Sequence, residues 1–139
     1  GRAPDGHEAL DLPDWLVPLL RESLGASLAP VAEALRSRAP VFLRVNLART
    51  GRAAAVAALA AEGITAVPHP LAETALEVTG NARKVQASQA YAAGLAELQD
   101  AASQAVAEAL PLADGMRVLD HCAGGGGKTL AMAARARLE

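Results

Sequence analysis

The stretch Val118-Leu119-Asp120-His121-Cys122-Ala123-Gly124-Gly125-Gly126-Gly127-Lys128-Thr129 decides the fold of this chain. Residues 116–120 predict a short strand, the four glycines predict a turn, and a last helix is predicted from about Lys128. This order lets a nucleotide-like ligand approach main-chain N–H groups at the positive end of a helix dipole, with no Cβ in the way. We therefore expect an α/β fold with a ligand-binding loop at this position.

Two common nucleotide-binding patterns do not fit the loop. A P-loop ending at Gly127-Lys128-Thr129 would need a glycine at Cys122. A dinucleotide fingerprint starting at Gly124 or Gly125 would need a glycine at residue 129 or 130, where Thr and Leu stand. Both patterns are therefore rejected.

Outward from the loop, toward the N-terminus, the chain alternates predicted helices and strands. A strand, a helix and a strand within about forty residues are typical of a small α/β unit with its own sheet. A polar stretch at residues 81–91 is interpreted as the joint between two units. The predicted helices are 12–24, 29–38, 52–62 and 95–110, and the predicted strands are 41–47, 64–67 and 75–79.

Composition narrows the function classes. Of the 139 residues 52% are hydrophobic, and 13 Lys+Arg against 15 Asp+Glu leave a net charge of −2, which excludes a disordered chain and a strongly basic tail. The single cysteine excludes an intrachain disulfide framework and a cysteine-rich zinc site. No apolar run reaches the roughly 18 residues of a membrane span. We expect a cytoplasmic protein with no membrane partner.

Three motifs in order resemble those of a known family. Residues 118–129 resemble its Val-Leu-Asp-x-Cys-Ala-Ala-Pro-Gly-Gly-Lys-Thr motif, with Gly124 and Gly125 in place of Ala-Pro. Residues 94–103 resemble its Gly-x(4)-Gln-Asp-x-Ala-Ser segment, and residues 43–46 its Leu-Arg-Val-Asn signature. The chain is thus similar to the RNA (cytosine-5) methyltransferases of the bacterial 16S rRNA and eukaryotic nucleolar type.

This resemblance implies a two-part layout and a cofactor. Residues 1–84 would form an N-terminal helical region and a small RNA-recognition-like α/β domain. Residues 85–139 would form a linker helix and the truncated start of a Rossmann-like methyltransferase domain. The cofactor would be S-adenosyl-L-methionine, and the residues expected to line it are Cys122, Ala123, Gly124, Gly125, Gly126, Gly127 and Lys128.

The family's chemistry implies that this chain is inactive by itself. One cysteine adds to C6 of cytosine, which makes C5 nucleophilic toward the methyl group, and a second cysteine helps release the product. Both lie in later motifs, so no catalytic residue is expected here, and we expect weak cofactor binding or none. His69 and His121 have no ligand-spaced partner, so no metal site is predicted. The intact enzyme is expected to be a monomer that acts on rRNA; the alternative is a non-catalytic RNA-binding module.

Five arginines fall between residues 36 and 52 with no acidic residue among them. Such a cluster could neutralise RNA phosphates, and a solvated basic face is the alternative. Arg44 and Asn46 alternate on one face of the predicted strand. The predicted RNA-binding residues are Arg44, Asn46, Arg49 and Arg52.

Several loop residues also have structural interpretations. Cys122, at the end of a predicted strand, is interpreted as a small buried side chain rather than a nucleophile. Lys128 either belongs to the cofactor loop or is a surface residue, and Asp120 either orients loop N–H groups or caps the turn. The pair at residues 99–100 is expected to orient the linker helix rather than touch a ligand.

Overall fold

A computed structural model describes residues 8–138 of the chain, and these divide into two compact units that meet between Ala39 and Pro40. The first unit contains helices α1 (Leu16–Leu24) and α2 (Leu28–Arg36), with short 3-10 turns before each of them. Within residues 8–39 the buried side chains are Val17, Leu28 and Ala32.

The second unit contains the strands β1 (Val41–Val45), β2 (Thr65–Pro68), β3 (Ala75–Gly80) and β4 (Ala96–Leu98), which form an antiparallel sheet in the order β2-β3-β1-β4. Strand β1 therefore lies between β3 and β4, which both follow it in the chain. Short turns at Ala82–Ala87 and Gln89–Ala92 (α4) connect β3 to β4. The other helices of this unit are α3 (Arg52–Ala61), α5 (Ala101–Glu108) and α6 (Gly127–Ala133).

The two faces of the sheet carry different cores because successive side chains of a strand point to opposite faces. On one face Leu43 and Val45 pack with the α3 residues Ala55 and Leu59 in the larger core. On the other face Phe42 packs with four alanines, two of them on α5. These are Ala72, Ala75 and, from α5, Ala101 and Ala105. Alanines therefore fill the layer between this face of the sheet and α5. The predicted mixed α/β fold is confirmed.

The predicted helix at 95–110 is wrong in its first third. Residues Ala96–Leu98 form β4, paired with β1 in the register Leu43↔Leu98 and Val45↔Ala96. The helix begins only at Ala101, where the Asp100 side chain accepts a hydrogen bond from the N–H of Ala102. Pairing with β1 satisfies the backbone of this alanine-containing stretch and outweighs its local helix propensity.

The predicted strand at 116–120 does not form. This stretch has no strand pairing in the structure, and the described residues place no neighbouring strand beside it. A strand exists only through hydrogen bonds to a neighbour, so an apolar run without one stays irregular. Val118 instead packs with Ala107 and Met132, between α5 and α6.

Candidate functional site

The glycine-rich loop leads directly into α6. Gly124 and Gly126 have φ values of +53° and +81°, in the left-handed region that glycine adopts without strain. The N–H of Gly126 donates to the carbonyl of Ala123 at 2.8 Å and closes a turn. Gly125 is exposed and has no positive φ. The backbone conformation therefore favours glycine at positions 124 and 126 of the run but not at position 125.

A side-chain hydrogen bond joins the two ends of the loop. The Thr129 hydroxyl on α6 donates to Oδ2 of Asp120 at 2.7 Å. Asp120 therefore holds the loop closed through a side chain. Neither predicted role, orienting loop N–H groups or capping the turn, is the contact observed.

The loop itself is open to solvent. Cys122 is exposed, so its interpretation as a small buried side chain is wrong. The reason is that the loop leaves the packed layer between α5 and α6 before residue 121, and residues 121–125 are all exposed. Lys128, at the start of α6, is half-buried.

Gln99 lies against the loop from the sheet side. Its main-chain N–H donates to the carbonyl of Phe42 at 3.2 Å, which continues the β1–β4 pairing. A Cβ added at Gly127 would lie 3.5 Å from Nε2 of Gln99, so the amide packs on the glycine backbone. Oε1 of Gln99 is buried with no hydrogen-bond partner. Gln99 therefore contacts the loop, and its expected role of orienting the linker helix rather than touching a ligand stays a prediction.

Arg44 is buried, with 1% of its surface exposed. It stands directly opposite Glu97 in the β1–β4 register, and its Nη2 donates to Oε2 of Glu97. Nε of Arg44 is buried without a partner. The predicted phosphate contact needs an exposed guanidinium, so Arg44 does not present one in this structure. The physical reason is that α5 covers the sheet face onto which Arg44 points.

The other predicted RNA-binding residues surround the end of β1. Oδ1 of Asn46 accepts a hydrogen bond from the N–H of Ala48 at 3.2 Å, which shapes the turn after the strand. Nη1 of Arg49 donates to the carbonyl of Ala93 at 3.2 Å, and Nη1 of Arg52 donates to the carbonyl of Glu73 at 3.0 Å. Arg49 is exposed and Arg52 is half-exposed. Both guanidiniums are therefore held in place while they remain open to solvent.

A groove of about 420 Å³ separates the sheet from the glycine-rich loop. Arg49 lies at its edge, since a Cβ at Gly94 would meet the Arg49 side chain at 3.7 Å. Tyr91 and Glu97 are not among the site residues predicted from the sequence. Glu97 is placed at the groove by the β1–β4 pairing, and Tyr91 lies in α4, just before β4. The groove is lined by Tyr91, Gly94, Glu97, Leu98, Gly125, Gly127 and Leu130.

A buried glutamine fixes α5 against the sheet behind the groove. Nε2 of Gln104 donates to the carbonyls of Leu43 at 3.2 Å and Gln99 at 2.9 Å. The Thr74 hydroxyl lies 2.8 Å from Oε1 of Gln104. Gln104 is fully buried, so its polar atoms need these partners. The same residue thus positions the main chain of Gln99 beside the loop.

The carboxylate of Glu108 completes this network. It accepts hydrogen bonds from the N–H groups of Glu73 at 2.9 Å and Thr74 at 3.1 Å. Burial raises the pKa of Glu108, but these two N–H groups, the Thr74 hydroxyl and the charge of Arg135 outweigh burial and lower that pKa below its ordinary value. The ionised carboxylate therefore stabilises the turn before β3.

Residues 8–138 lack two features, a group of metal-ligating side chains and a helix that could cross a membrane. No group of three or more His, Cys, Asp or Glu side chains in this range could hold a metal ion. No helix in the same range has the length and apolar character needed to cross a membrane.

The sequence of this chain is similar to those of known methyltransferases. Residues 12–86, more than half of the chain, match the family described as RsmF/B-like methyltransferase, ferredoxin-like domain. The ribosomal RNA small subunit methyltransferase B of Vibrio cholerae is 39% identical over 117 residues, covering 84% of this chain and 27% of that protein. The protein of the same name in Xanthomonas campestris is 40% identical over 116 residues, covering 84% of this chain and 26% of that protein.

Two solved structures are similar to the chain. The crystal structure of PH0851 has a TM-score of 0.80 at 23% identity and covers 96% of this chain and 31% of that one. A methyltransferase homolog protein from Pyrococcus horikoshii has a TM-score of 0.67 at 22% identity, covering 90% of this chain and 41% of that one. At this identity the likeness shows the fold alone. The chain spans about a quarter of the length of the curated relatives described above.

Proposed function

Because the chain belongs to the RsmF/B-like methyltransferase family through its ferredoxin-like domain, we propose that it is part of an S-adenosylmethionine-dependent rRNA methyltransferase acting on C5 of a cytosine. The names of the curated relatives support small-subunit ribosomal RNA as the substrate. The observation that carries the proposal is the exposed glycine-rich loop, with the unpartnered Oε1 of Gln99 buried against it.

The loop residues fit the proposed cofactor. Left-handed glycines at 124 and 126 leave the backbone open for close approach, and the buried acceptor of Gln99 lacks a partner that a polar ligand would provide. S-adenosylmethionine supplies the methyl group when bound. The residues that would hold it are Cys122, Ala123, Gly124, Gly125, Gly126, Gly127 and Lys128.

The exposed guanidiniums of Arg49 and Arg52 are proposed to contact RNA phosphates. Each is held by a main-chain carbonyl that uses one donor and leaves others free. Arg44 and Asn46 serve this surface indirectly, through the strand and the turn that carry it. Affinity from such contacts decreases as salt rises, because phosphate binding releases counterions.

We further propose that the chain alone does not transfer methyl groups. Cys122 is its single cysteine, whereas the resembling family uses two cysteines from other motifs. The second candidate function is therefore an RNA-binding module. Two observations favour it: Arg49 and Arg52 follow β1 of the four-stranded sheet, and the region at 109–126 forms no helix or strand. We place the intact enzyme in the cytoplasm, as a monomer.

A chimera tests the enzymatic proposal. The matching 117-residue segment of the Vibrio cholerae relative is replaced by that of this chain, and methyl transfer to 16S rRNA is measured with tritiated S-adenosylmethionine. We expect transfer to cytosine C5, identified by mass spectrometry of the nucleosides. A folded chimera that transfers no methyl group, or transfers it to another atom, would contradict the proposal.

Calorimetry tests the role of the isolated chain. We expect no saturable binding of S-adenosylmethionine at concentrations up to about 1 mM, where binding free energy is only about −4 kcal/mol. Tight, stoichiometric binding would contradict the expectation that this chain binds the cofactor weakly or not at all. RNA binding by the same sample would support the module as the function of this part.

A further inference from the structure

We infer that residues 117–121 form an open edge that pairs with the same residues of a second copy of this chain. The inference goes beyond the proposed function and concerns the 139-residue chain by itself, whereas the monomer proposed above is the intact enzyme. Residues 116–120 contain no helix, strand, turn or bend, and they are the longest such run within residues 8–138. Among the same residues, no N–H group from 117 to 121 donates a hydrogen bond. An unpaired edge of this kind is a template for strand pairing.

A second groove, of about 460 Å³, runs along this edge. All five residues from Arg117 to His121 line it, although successive side chains of an extended segment point in opposite directions. The groove therefore follows the main chain rather than one face of the segment. Its other lining residues include Val106, Leu110 and Met132, which are apolar. Such a groove fits one extended strand that carries an apolar side chain toward α5.

Exposure along the edge alternates as in a strand with one covered face. Val118 and Asp120 are half-buried, and Val118 packs with Met132 between α5 and α6. Leu119, between them, is 87% exposed, and Val106 of α5 is exposed beside the groove. The edge therefore leaves apolar surface uncovered, which is typical of an interaction site.

A second copy of the chain supplies the matching strand. Within residues 8–138 the longest extended run with free N–H groups is the edge itself, so the segment that fits the groove of one copy is the same segment of another. Two identical edges pair antiparallel about a two-fold axis, which makes the interface self-complementary.

The charges of the edge suit pairing with Leu119 on the two-fold axis. Leu119 then lies opposite the partner's Leu119, and Arg117 lies opposite the partner's His121. Asp120 lies opposite the partner's Val118, so this register brings no like charges together at neutral pH. The net charge of −2 per chain adds only weak repulsion between the copies.

Sedimentation equilibrium of the unmodified chain gives the first test. We expect a reversible equilibrium between monomer and dimer, and we expect Leu119→Lys to weaken the dimer at least about tenfold because it places two like charges on the axis. Circular dichroism checks that this variant folds, which its exposed position favours. The matched control is Val67→Lys on β2, an exposed apolar position outside the groove, which should dimerise like the unmodified chain.

A disulfide between copies tests the register. In a Cys122→Ser background we expect Leu119→Cys to cross-link two copies, because residues opposite each other in an antiparallel pair have Cα atoms about 4.5–5.5 Å apart. The exposed Cys122 of the unmodified chain would lie about 20 Å from the partner's Cys122 and should not cross-link. Val67→Cys in the same background is the matched control and should stay uncross-linked.

Each measurement has an outcome that contradicts self-pairing of the edge. A chain that stays monomeric up to about 1 mM would overturn the inference and leave the groove to a strand of another polypeptide. Equal dimer affinity in a folded Leu119→Lys variant would also overturn it, since the interface would then lie elsewhere. A Leu119→Cys variant that cross-links no more than the Val67→Cys control would overturn it as well.

Discussion

Replacing Glu97 by alanine is expected to destabilise the second unit through Arg44. The guanidinium of Arg44 is 1% exposed and sits between the sheet and α5, so it cannot turn toward water when its partner is removed. Its Nε already lacks a hydrogen-bond partner. Glu97→Ala would therefore leave a buried, uncompensated charge.

The magnitude follows from the burial of the two partners. Breaking a fully buried ion pair by removing one partner costs about 3–5 kcal/mol. The Glu97 side chain is 31% exposed, so solvent screens part of its interaction and the expected loss is smaller. We expect Glu97→Ala to lower the free energy of unfolding by about 2–3 kcal/mol.

Urea unfolding followed by circular dichroism measures this loss. With an m-value of about 1–3 kcal/mol per molar, the midpoint should fall by about 0.7–3 M. The matched control is the double variant Arg44→Met with Glu97→Leu, which should stay within about 1 kcal/mol of the unmodified protein because both charges are removed. A loss below about 1 kcal/mol for Glu97→Ala, or an equal loss in the double variant, would refute the reasoning.

Three further predictions concern the elements beside the groove. Asp100→Ala should destabilise α5 by about 1 kcal/mol through loss of its N-cap bond to Ala102, while Asp100→Asn should be nearly neutral, as measured by urea unfolding. Gly126→Ala should destabilise the start of α6 by about 1 kcal/mol because residue 126 has a left-handed backbone, and Gly125→Ala should not; amide hydrogen exchange in α6 reports the difference. The lowered pKa of Glu108 means that its stabilising contribution is complete above the ordinary glutamate pKa of about 4.3 and is lost as pH falls through its folded-state pKa. Glu108→Gln should therefore flatten the acid side of a stability–pH profile, and an unchanged acid limb would contradict this assignment.

Local sequence signals located most elements of the second unit. The predicted helix at 52–62 corresponds to α3 and the predicted strands at 41–47, 64–67 and 75–79 correspond to β1, β2 and β3. Their glycine and proline boundaries and apolar patterns act within a few residues, so they can be read from the chain. Residues 95–100 were misassigned because nothing local distinguishes an alanine-containing edge strand from the start of a helix.

The candidate site was predictable on one side only. The loop side was found from its glycines, and two of these occupy left-handed positions. The other side is formed by Tyr91 of α4 and Glu97 of β4, and neither is predicted as a site residue although Glu97 lies within the 94–103 motif. Glu97 reaches the loop because β4 pairs with β1, and a pairing between distant segments depends on the whole fold.

By itself the sequence determined the glycine-rich loop, the strand-helix-strand unit and the family to which the chain belongs, because motifs and periodicity are properties of neighbouring residues. Tertiary structure alone decided the role of Arg44, which the sequence presents as one arginine in an exposed basic cluster. Its partner Glu97 stands 53 residues away along the chain. The β1–β4 register places Arg44 opposite Glu97, and α5 covers that face of the sheet. Arg44 is therefore a buried partner of a carboxylate rather than an exposed phosphate contact.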